Sequence, residues 1–406
     1  MSVVSLRARP RPATRRWCLP PALLSDPSTG ELIPGIRILH EHDEATAMLL
    51  WSSYRDVALW ADTPAHERET LFRSSTDAAG ALLERSRLSP AAVDALRVLF
   101  GVSGGEGPPA VCVAWACGAI AEWAAARGAV ATAIGFAQAA AFVVPDDAQV
   151  TLEAGRLAAR LGTSTAGAET WLRRATALAR RARNSDVYTR ALLELAWLRL
   201  QSAPEVGGAA ALFQRAIRAA RRGGRTEVRA LAHHGLARTA MARGDYAFAA
   251  TETRTALRML RRGTGNPHFL GVVLDHAEAL LLGESPSAAA AALRRFLPAF
   301  TMPRDRVRAL TLLVRTAGSD GAPPVAEVWH DAHSLLGSLG ESEEAARGFL
   351  ELARAAAETG YDAQAENAAR RALAIARRIH AEPVAQECAS LLDQLRTRSS
   401  VRHAYG

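Results

Sequence analysis

Few groups of residues in this chain have the types and the spacing that metal binding requires. His330 and His333 lie three residues apart, so a helix would place both imidazoles on one face, where they could bind a metal ion. Two ligands do not complete a metal site, and the neighbouring sequence supplies no third one. We interpret the pair as polar histidines on a helix surface and expect no metal.

A second short motif has the spacing of a catalytic serine site. The segment GVSGG, residues 101–105, fits the pattern G-x-S-x-G, in which the serine follows a strand and precedes a helix. Here a helical pattern precedes the serine, and Pro108 and Pro109 follow it. All 49 residues counted as Lys or Arg are arginines, which excludes lysine-dependent phosphate loops and Schiff bases. We therefore expect no enzymatic activity and no cofactor.

The composition is that of a globular protein with an excess of basic residues. Of the 406 residues, 49% are hydrophobic and 22% are charged, and the formal net charge is +8. No segment approaches the roughly 18 apolar residues of a membrane span. The cysteines are too few and too scattered for a disulfide framework, so we expect reduced core thiols in a cytoplasmic protein. They are Cys18, Cys112, Cys117 and Cys388.

One stretch, residues 229–262, has the pattern of two helices joined by a tight turn. Its first half ends at Gly244, where glycine can adopt the positive φ that closes a helix. In the second half Ala249 and Ala256 lie seven residues apart, on one face of a helix that begins near Tyr246. We predict a helical hairpin whose two helices approach closely through small residues.

This hairpin resembles a tetratricopeptide repeat. With Ala230 as the first position, the small, turn-forming and aromatic residues of that family's pattern correspond to Ala237, Gly244, Tyr246, Ala249 and Ala256. The alanine equivalent to Ala249 recurs at steps of 35 to 41 residues, a longer period than the family's about 34. The resemblance implies an all-α fold, a right-handed α-solenoid of about seven helix-turn-helix repeats with an N-terminal helical cap. The recurring alanines are Ala133, Ala168, Ala209, Ala249, Ala288, Ala326 and Ala365.

Composition changes along the chain divide it into five parts. Residues 1–35 are rich in arginine and proline and are expected to form a disordered tail. Residues 36–100 are helical without the repeat pattern, so we assign them to the N-terminal cap, and the Gly- and Pro-rich residues 101–109 to a linker. The repeats then occupy 110–396, and 397–406 form a second disordered tail.

The resemblance also implies a binding surface. In tetratricopeptide proteins the fifth, ninth and twelfth positions of a repeat line a concave groove that holds a peptide or a partner helix. Arginines at these positions could bind a carboxylate, so the expected partner is a protein or an acidic peptide. The groove candidates are Glu194, Leu198, Gln201, His234, Arg238, Met241, Leu350, Arg354 and Ala357.

The preferred function is therefore that of a protein-interaction scaffold or adaptor, and two alternatives stay open. Helical repeats of this type also form the ligand-sensing parts of regulators, which here would require a separate effector protein. Arginine clusters near the predicted C-terminal ends of second helices could instead bind nucleic acid or another polyanion. Their complementarity to the helix dipole explains them more simply, and no aromatic residues are interleaved with them. The clusters are 180–183, 221–225, 258–262 and 377–378.

Five tryptophans lie in the predicted repeats. We interpret them as residues that pack between repeats rather than as a ligand cage, because large aromatic side chains dominate core packing. They are Trp115, Trp123, Trp171, Trp197 and Trp329.

Overall fold

A computed structural model describes most of the chain and shows an all-helical protein. It describes residues 35–64, 66–67, 83–84, 86, 88–103, 107–162, 164–202, 208–260 and 266–405. Within these ranges the regular elements are all helices. The chain divides into two compact units, unit 1 at Met1–Ala203 and unit 2 at Pro204–Gly406. The tail predicted for residues 1–35 lies almost entirely outside the described residues.

Unit 1 begins with helices that precede the repeats. A 3-10 helix at Gly35–His40 and helix α1 both contact α4, while α2 packs against α3. The repeats follow as the pairs α3/α4 and α5/α6, and α7 is the last helix of the unit. The described helices are α1 (Glu44–Asp62), α2 (Pro90–Ser103), α3 (Ala110–Ala125), α4 (Val130–Val143), α5 (Ala148–Leu161), α6 (Thr165–Arg181) and α7 (Ser185–Ser202).

Unit 2 begins with α8 and continues as four helix pairs and a final helix. The pairs are α9/α10, α11/α12, α13/α14 and α15/α16, with a 3-10 turn at Leu297–Ala299 after α12. The helices are α8 (Gly208–Arg222), α9 (Thr226–Ala242), α10 (Tyr246–Leu260), α11 (Phe269–Leu282), α12 (Pro286–Phe296), α13 (Pro303–Arg315), α14 (Val325–Ser338), α15 (Glu343–Glu358), α16 (Asp362–Arg378) and α17 (Glu382–Tyr405).

The α9/α10 pair shows why the sequence folds into hairpins. Gly244, in the turn between the two helices, has a φ of +78°, which costs glycine little. Ala237 on α9 and Ala249 on α10 are fully buried in the core of the unit, so the small side chains allow the two backbones to approach. The predicted hairpin is confirmed, and with it the all-α, tetratricopeptide-like fold.

Polar side chains fix several helix starts. Asp43 accepts a hydrogen bond from the backbone N–H of Thr46 and caps α1. The start of α4 has no side-chain cap of its own. Glu41 takes this role from about 90 residues away, because the N–H groups of Ala131 and Thr132 donate to its carboxylate at 2.7 and 2.8 Å. This contact joins the N-terminal helices to the first repeat.

For two of the repeats, the alanine predicted to pack between the helices is not the residue that is buried there. Ala133, Ala249 and Ala365 are each the fourth residue of a second helix and are buried, as predicted. Ala288 and Ala326 are exposed. The buried fourth residue is instead Ala289 in α12 and Val328 in α14.

The helix boundaries also differ from the predicted domain limits. Helix α2 continues to Ser103, into the range 101–109 assigned to a linker. Helix α17 continues to Tyr405, through the range 397–406 assigned to a disordered tail. Within that range Arg398 donates a hydrogen bond to the backbone carbonyl of Ala357 at 3.3 Å. The repeat predicted around Ala209 is divided, since α7 ends unit 1 and α8 begins unit 2.

Candidate interaction surfaces

In each unit the first helices of successive pairs form one continuous surface. They contact one another directly and more extensively than the second helices do, so they lie on the inside of the stack. We call the exposed surface of α3, α5 and α7 the inner face of unit 1. The corresponding surface of α9, α11, α13 and α15 is the inner face of unit 2.

A buried carboxylate lies at the centre of the inner face of unit 2. Asp275 on α11 is 2% exposed, and its carboxylate lies 2.6 Å from the Nε2 atom of His234 on α9. Arg238 on α9 approaches the same carboxylate at 3.3 Å, and Arg308 on α13 at 2.7 Å. Arg308 also pairs with Glu278 at 2.5 Å. One acidic side chain therefore connects three successive first helices.

The protonation state of Asp275 follows from these contacts. Burial by itself would raise the pKa of the carboxyl group, but the hydrogen bond from His234 and the charges of Arg308, His234 and Arg238 outweigh it. The pKa of Asp275 is therefore held well below its ordinary value. Because an ionised carboxylate only accepts hydrogen bonds, the Nε2–H group of His234 is the donor.

Next to this network lies a cavity of about 580 Å³ between α13 and α15. Arg308 and Glu278 form one side, and Val307, Leu312 and Leu336 supply apolar surface. Four acidic and four arginine side chains line the cavity, so their formal charges cancel. The cavity suits a ligand with both apolar and polar groups and gives no strong preference for one sign of charge.

The structure places the groove candidates of unit 2 in different environments. His234 and Arg238 belong to the Asp275 network, and Met241 is half-buried further along α9. On α15 Leu350 is buried in the core, whereas Arg354 pairs with Glu351 and with Glu387 of α17, each at 2.6 Å. Ala357 is also buried. Both arginines expected to bind a partner's carboxylate are thus already paired with carboxylates of this chain.

The groove candidates of unit 1 lie together. Glu194, Leu198 and Gln201 on α7 line a cavity of about 280 Å³ between α5 and α7. Arg156 on α5 pairs with Glu194 at 3.1 Å, and Arg160 pairs with Glu122 of α3 at 2.8 Å. The three predicted residues therefore share one surface, and that surface is largely polar.

A more apolar cavity adjoins it on the same face. This cavity, of about 480 Å³, lies between α3 and α5 and shares Glu122, Glu153 and Leu157 with the polar one. Trp115 and Val111, one helical turn apart on α3, line it and are 59% and 71% exposed. The expectation that Trp115 packs between repeats is wrong, because α3 turns this side chain toward the surface of the inner face.

The other tryptophans are more enclosed. Trp123 and Trp171 are buried, while Trp197 and Trp329 are half-buried. Helical spacing gave no indication that Trp115 would differ, since Trp115 and Trp123 are eight residues apart and α3, whose one charged residue is Glu122, has no obvious polar face.

The residues first considered for chemistry do not assemble into a reactive site. His333 stacks on Trp329 and meets the edge of Phe349, and burial together with the charge of Arg371 lowers the pKa of His333. Among the described residues no group of three or more His, Cys, Asp or Glu side chains could hold a metal ion. The serine of the GVSGG segment, Ser103, ends helix α2.

The cysteines only partly match the expectation of core thiols. Cys117 and Cys388 are buried, and burial raises the pKa of both thiols, that of Cys388 to about 11. Cys112 is exposed, so its assignment to the core is wrong. Cys18 lies outside the described residues. In the described part of the chain no helix is long and apolar enough to cross a membrane.

Comparison with known proteins identifies the class of fold. No family model and no curated protein matches the sequence. The apo form of RapI superimposes with a TM-score of 0.53 at 14% identity, over 66% of this chain and 99% of that one. The quorum sensor NprR from B. thuringiensis, also in its apo form, gives 0.53 at 10% identity, over 79% and 97%.

A third structure carries the repeat in its description. It is a signal transduction ATPase with numerous domains and a tetratricopeptide repeat sensor, from Pyrococcus horikoshii, with a TM-score of 0.51 at 12% identity. The match covers 87% of this chain and 62% of that one. This chain therefore has the fold of the tetratricopeptide-like helical repeat proteins.

Proposed function

We propose that this chain is a non-catalytic protein-interaction module that holds a segment of a partner protein on the inner face of unit 1. The observation that carries the proposal is the apolar cavity beside the exposed Trp115 and Val111. Exposed apolar patches with a polar rim mark interaction sites. Tryptophan is also among the residues that most often dominate binding energy at interfaces.

The chemistry of the cavity indicates what the partner segment contains. An apolar side chain would fill the space beside Trp115, and the adjoining polar cavity would hold the flanking residues. Across the two cavities four acidic side chains face two arginines, so the formal charge is −2. This balance favours a neutral or basic segment over the acidic peptide expected from the sequence. The charged residues are Glu122, Asp147, Glu153, Glu194, Arg156 and Arg160.

A regulatory role is the second candidate. NprR is a quorum sensor, and the Pyrococcus horikoshii protein has a tetratricopeptide repeat sensor. Both share the fold of this chain, which supports a sensor that acts through a separate effector protein. In either role the first event would be the binding of a segment on an inner face.

A peptide library displayed on phage would test the proposal. Selection on the full chain should enrich segments with a large apolar residue, and their affinity should fall by about 30-fold or more in the Trp115→Ser variant, the loss of an interface hot spot. Phe248→Ser is the matched control, because Phe248 is another exposed aromatic residue but lies on α10 in unit 2. Enriched peptides that bind Trp115→Ser as well as the unchanged protein would refute the site.

A further inference from the structure

The positive charge of this protein is concentrated in one part of the chain. Residues 208–260, which form α8, α9 and α10, contain ten arginines and three acidic residues, a net charge of +7. The whole chain has a net charge of +8. The high arginine content of the chain does not by itself explain this local excess of positive charge, because outside residues 208–260 the acidic residues nearly balance the arginines.

On α8 the arginines form a stripe opposite the buried face. Arg215, Arg218 and Arg222 recur at helical spacing and are exposed. The buried residues of this helix, among them Phe213 and Ala216, lie on the other side. In the described part of the chain no carboxylate pairs with Arg218 or Arg222.

Helix α10 repeats the arrangement. Arg254 and Arg258 are exposed and lie one turn apart, opposite the face that packs into the core. The one acidic residue of this helix, Glu252, is turned toward α9, where its carboxylate lies 2.6 Å from Nδ1 of His233. Both helices pack against α9. We call Arg215, Arg218, Arg222, Arg254 and Arg258 the outer arginine patch.

The surroundings of the patch distinguish between classes of ligand. Apart from arginines and Gly208, the exposed positions of these two helices hold Ala211 and Gln214 on α8, and Ala247, Phe248 and Thr251 on α10. A protein partner would require an apolar, aromatic-rich interface core, whereas interfaces with nucleic acid are more polar and much more positive. Phe248 is the one exposed aromatic side chain on these two helices, too few for the series of stacked bases that single-stranded nucleic acid requires.

We propose that the outer arginine patch binds the phosphate backbone of double-stranded nucleic acid, without reading its sequence. Guanidinium groups bind phosphate oxygens through paired N–H donors, and phosphate contacts alone can supply non-specific affinity. This surface is made by α8 and α10 of unit 2 and uses none of the inner-face residues of unit 1. The inference is therefore independent of the proposed protein-interaction function.

Fluorescence anisotropy of a labelled 20-base-pair DNA duplex with the full chain tests the inference. If all five arginines contact phosphates, the logarithm of the affinity should fall with the logarithm of salt concentration with a slope of about −4 to −5. The triple variant Arg218→Glu, Arg222→Glu, Arg254→Glu should bind at least about tenfold more weakly and with a smaller slope. The corresponding Arg→Lys triple variant keeps the charge and should retain most of the affinity.

The matched control changes the same number of exposed arginines elsewhere. Arg180→Glu, Arg181→Glu, Arg377→Glu alters the net charge equally, at the ends of α6 and α16, and should change the affinity less than about threefold. Equal losses in the two Glu variants would overturn the patch, since net charge alone would then explain binding. Absence of duplex binding at 50 mM salt would overturn it too, as would binding of poly-glutamate or of phosphatidylserine vesicles in place of DNA.

Discussion

The imidazole of His234 and the carboxylate of Asp275 lie 2.6 Å apart and connect α9 to α11 across the inner face of unit 2. Because Arg308 joins the same carboxylate from α13, Asp275 holds three successive first helices together. Successive repeats otherwise meet mainly through apolar contacts, which specify direction poorly. The ionic contacts at Asp275 therefore fix how these helices are placed relative to one another.

Replacing Asp275 with asparagine should destabilise unit 2. The amide keeps the shape of the side chain but removes the charge that offsets two nearby guanidinium groups, and we expect a loss of about 2 to 4 kcal/mol in the free energy of unfolding. Hydrogen exchange of peptides from α9, α11 and α13 would report this loss locally. Asp393→Asn is the control, because Asp393 is exposed on α17 and its removal should cost less than about 1 kcal/mol.

Lowering the pH should also destabilise unit 2 through the carboxyl group of Asp275. The pKa of Asp275 is lowered in the folded state, so its stabilising contribution is present above the unfolded value of about 3.9 and is lost as the pH falls below it. The unchanged protein should therefore lose stability below about pH 4 more steeply than Asp275→Asn. Parallel curves for the two proteins in this range would contradict the assignment.

A second titration is expected at higher pH from His276. This residue is buried, its Nδ1 atom lies 2.8 Å from the hydroxyl of Thr253, and burial together with the charge of Arg254 lowers its pKa to about 4. As the pH falls from about 6.5 to 4, the unfolded imidazole takes up a proton and the folded one does not. Stability should therefore decrease over this range, by up to about 1.4 kcal/mol per pH unit.

The variant His276→Gln should flatten this part of the curve. Urea unfolding at a series of pH values, with the change followed in unit 2, measures the slope. His268→Gln serves as the comparison, since His268 is exposed just before α11 and should leave the slope unchanged. If His276→Gln leaves the pH dependence of stability unchanged, the proton is taken up by another group.

The two inner-face arginines should differ in what charge reversal does. Arg238→Glu places a second carboxylate beside the buried Asp275, so we expect it to destabilise unit 2 by about 2 kcal/mol or more. Arg354 pairs with two exposed carboxylates, and its reversal should cost only about 1 kcal/mol. Thermal unfolding of the two variants checks the difference. If the two variants lost similar amounts of stability, burial of Asp275 would not increase the penalty of charge reversal beside it.

Much of the fold could be predicted because it depends on local pattern. The fourth residue of a second helix is buried where it meets the preceding helix, and at Ala133, Ala249 and Ala365 it is the small residue that the sequence pattern predicts. The pattern failed in α12 and α14, where alanine-rich or irregular sequence permits a shift of one or two residues. At Val328 a larger side chain occupies the buried position, which no search for alanine could find.

The interaction surfaces were less predictable because they depend on contacts between distant residues. The resemblance to tetratricopeptide repeats implied that His234 and Arg238 line the groove, but nothing in the sequence indicated that Asp275, 41 residues after His234, would engage both. The exposure of Trp115 was missed for a related reason. Whether an apolar residue on a largely apolar helix is covered depends on how closely the neighbouring repeat packs, and here a cavity lies between α3 and α5 beside Trp115.

The contact between α8 and α9 gives a test of close packing in which two glycines should respond with opposite signs. A Cβ atom added at Gly235 would lie 2.1 Å from Cε1 of the buried Phe213, so Gly235→Ala should cost about 1 to 3 kcal/mol through overpacking. At Gly271, in α11, an added Cβ meets nothing within 4 Å, and alanine there should stabilise the helix by up to about 1 kcal/mol. Urea denaturation measures both changes. If Gly235→Ala also stabilised the protein, α8 would not pack on α9 through Phe213. The position of α8 and of its arginines relative to α9 would then be wrong.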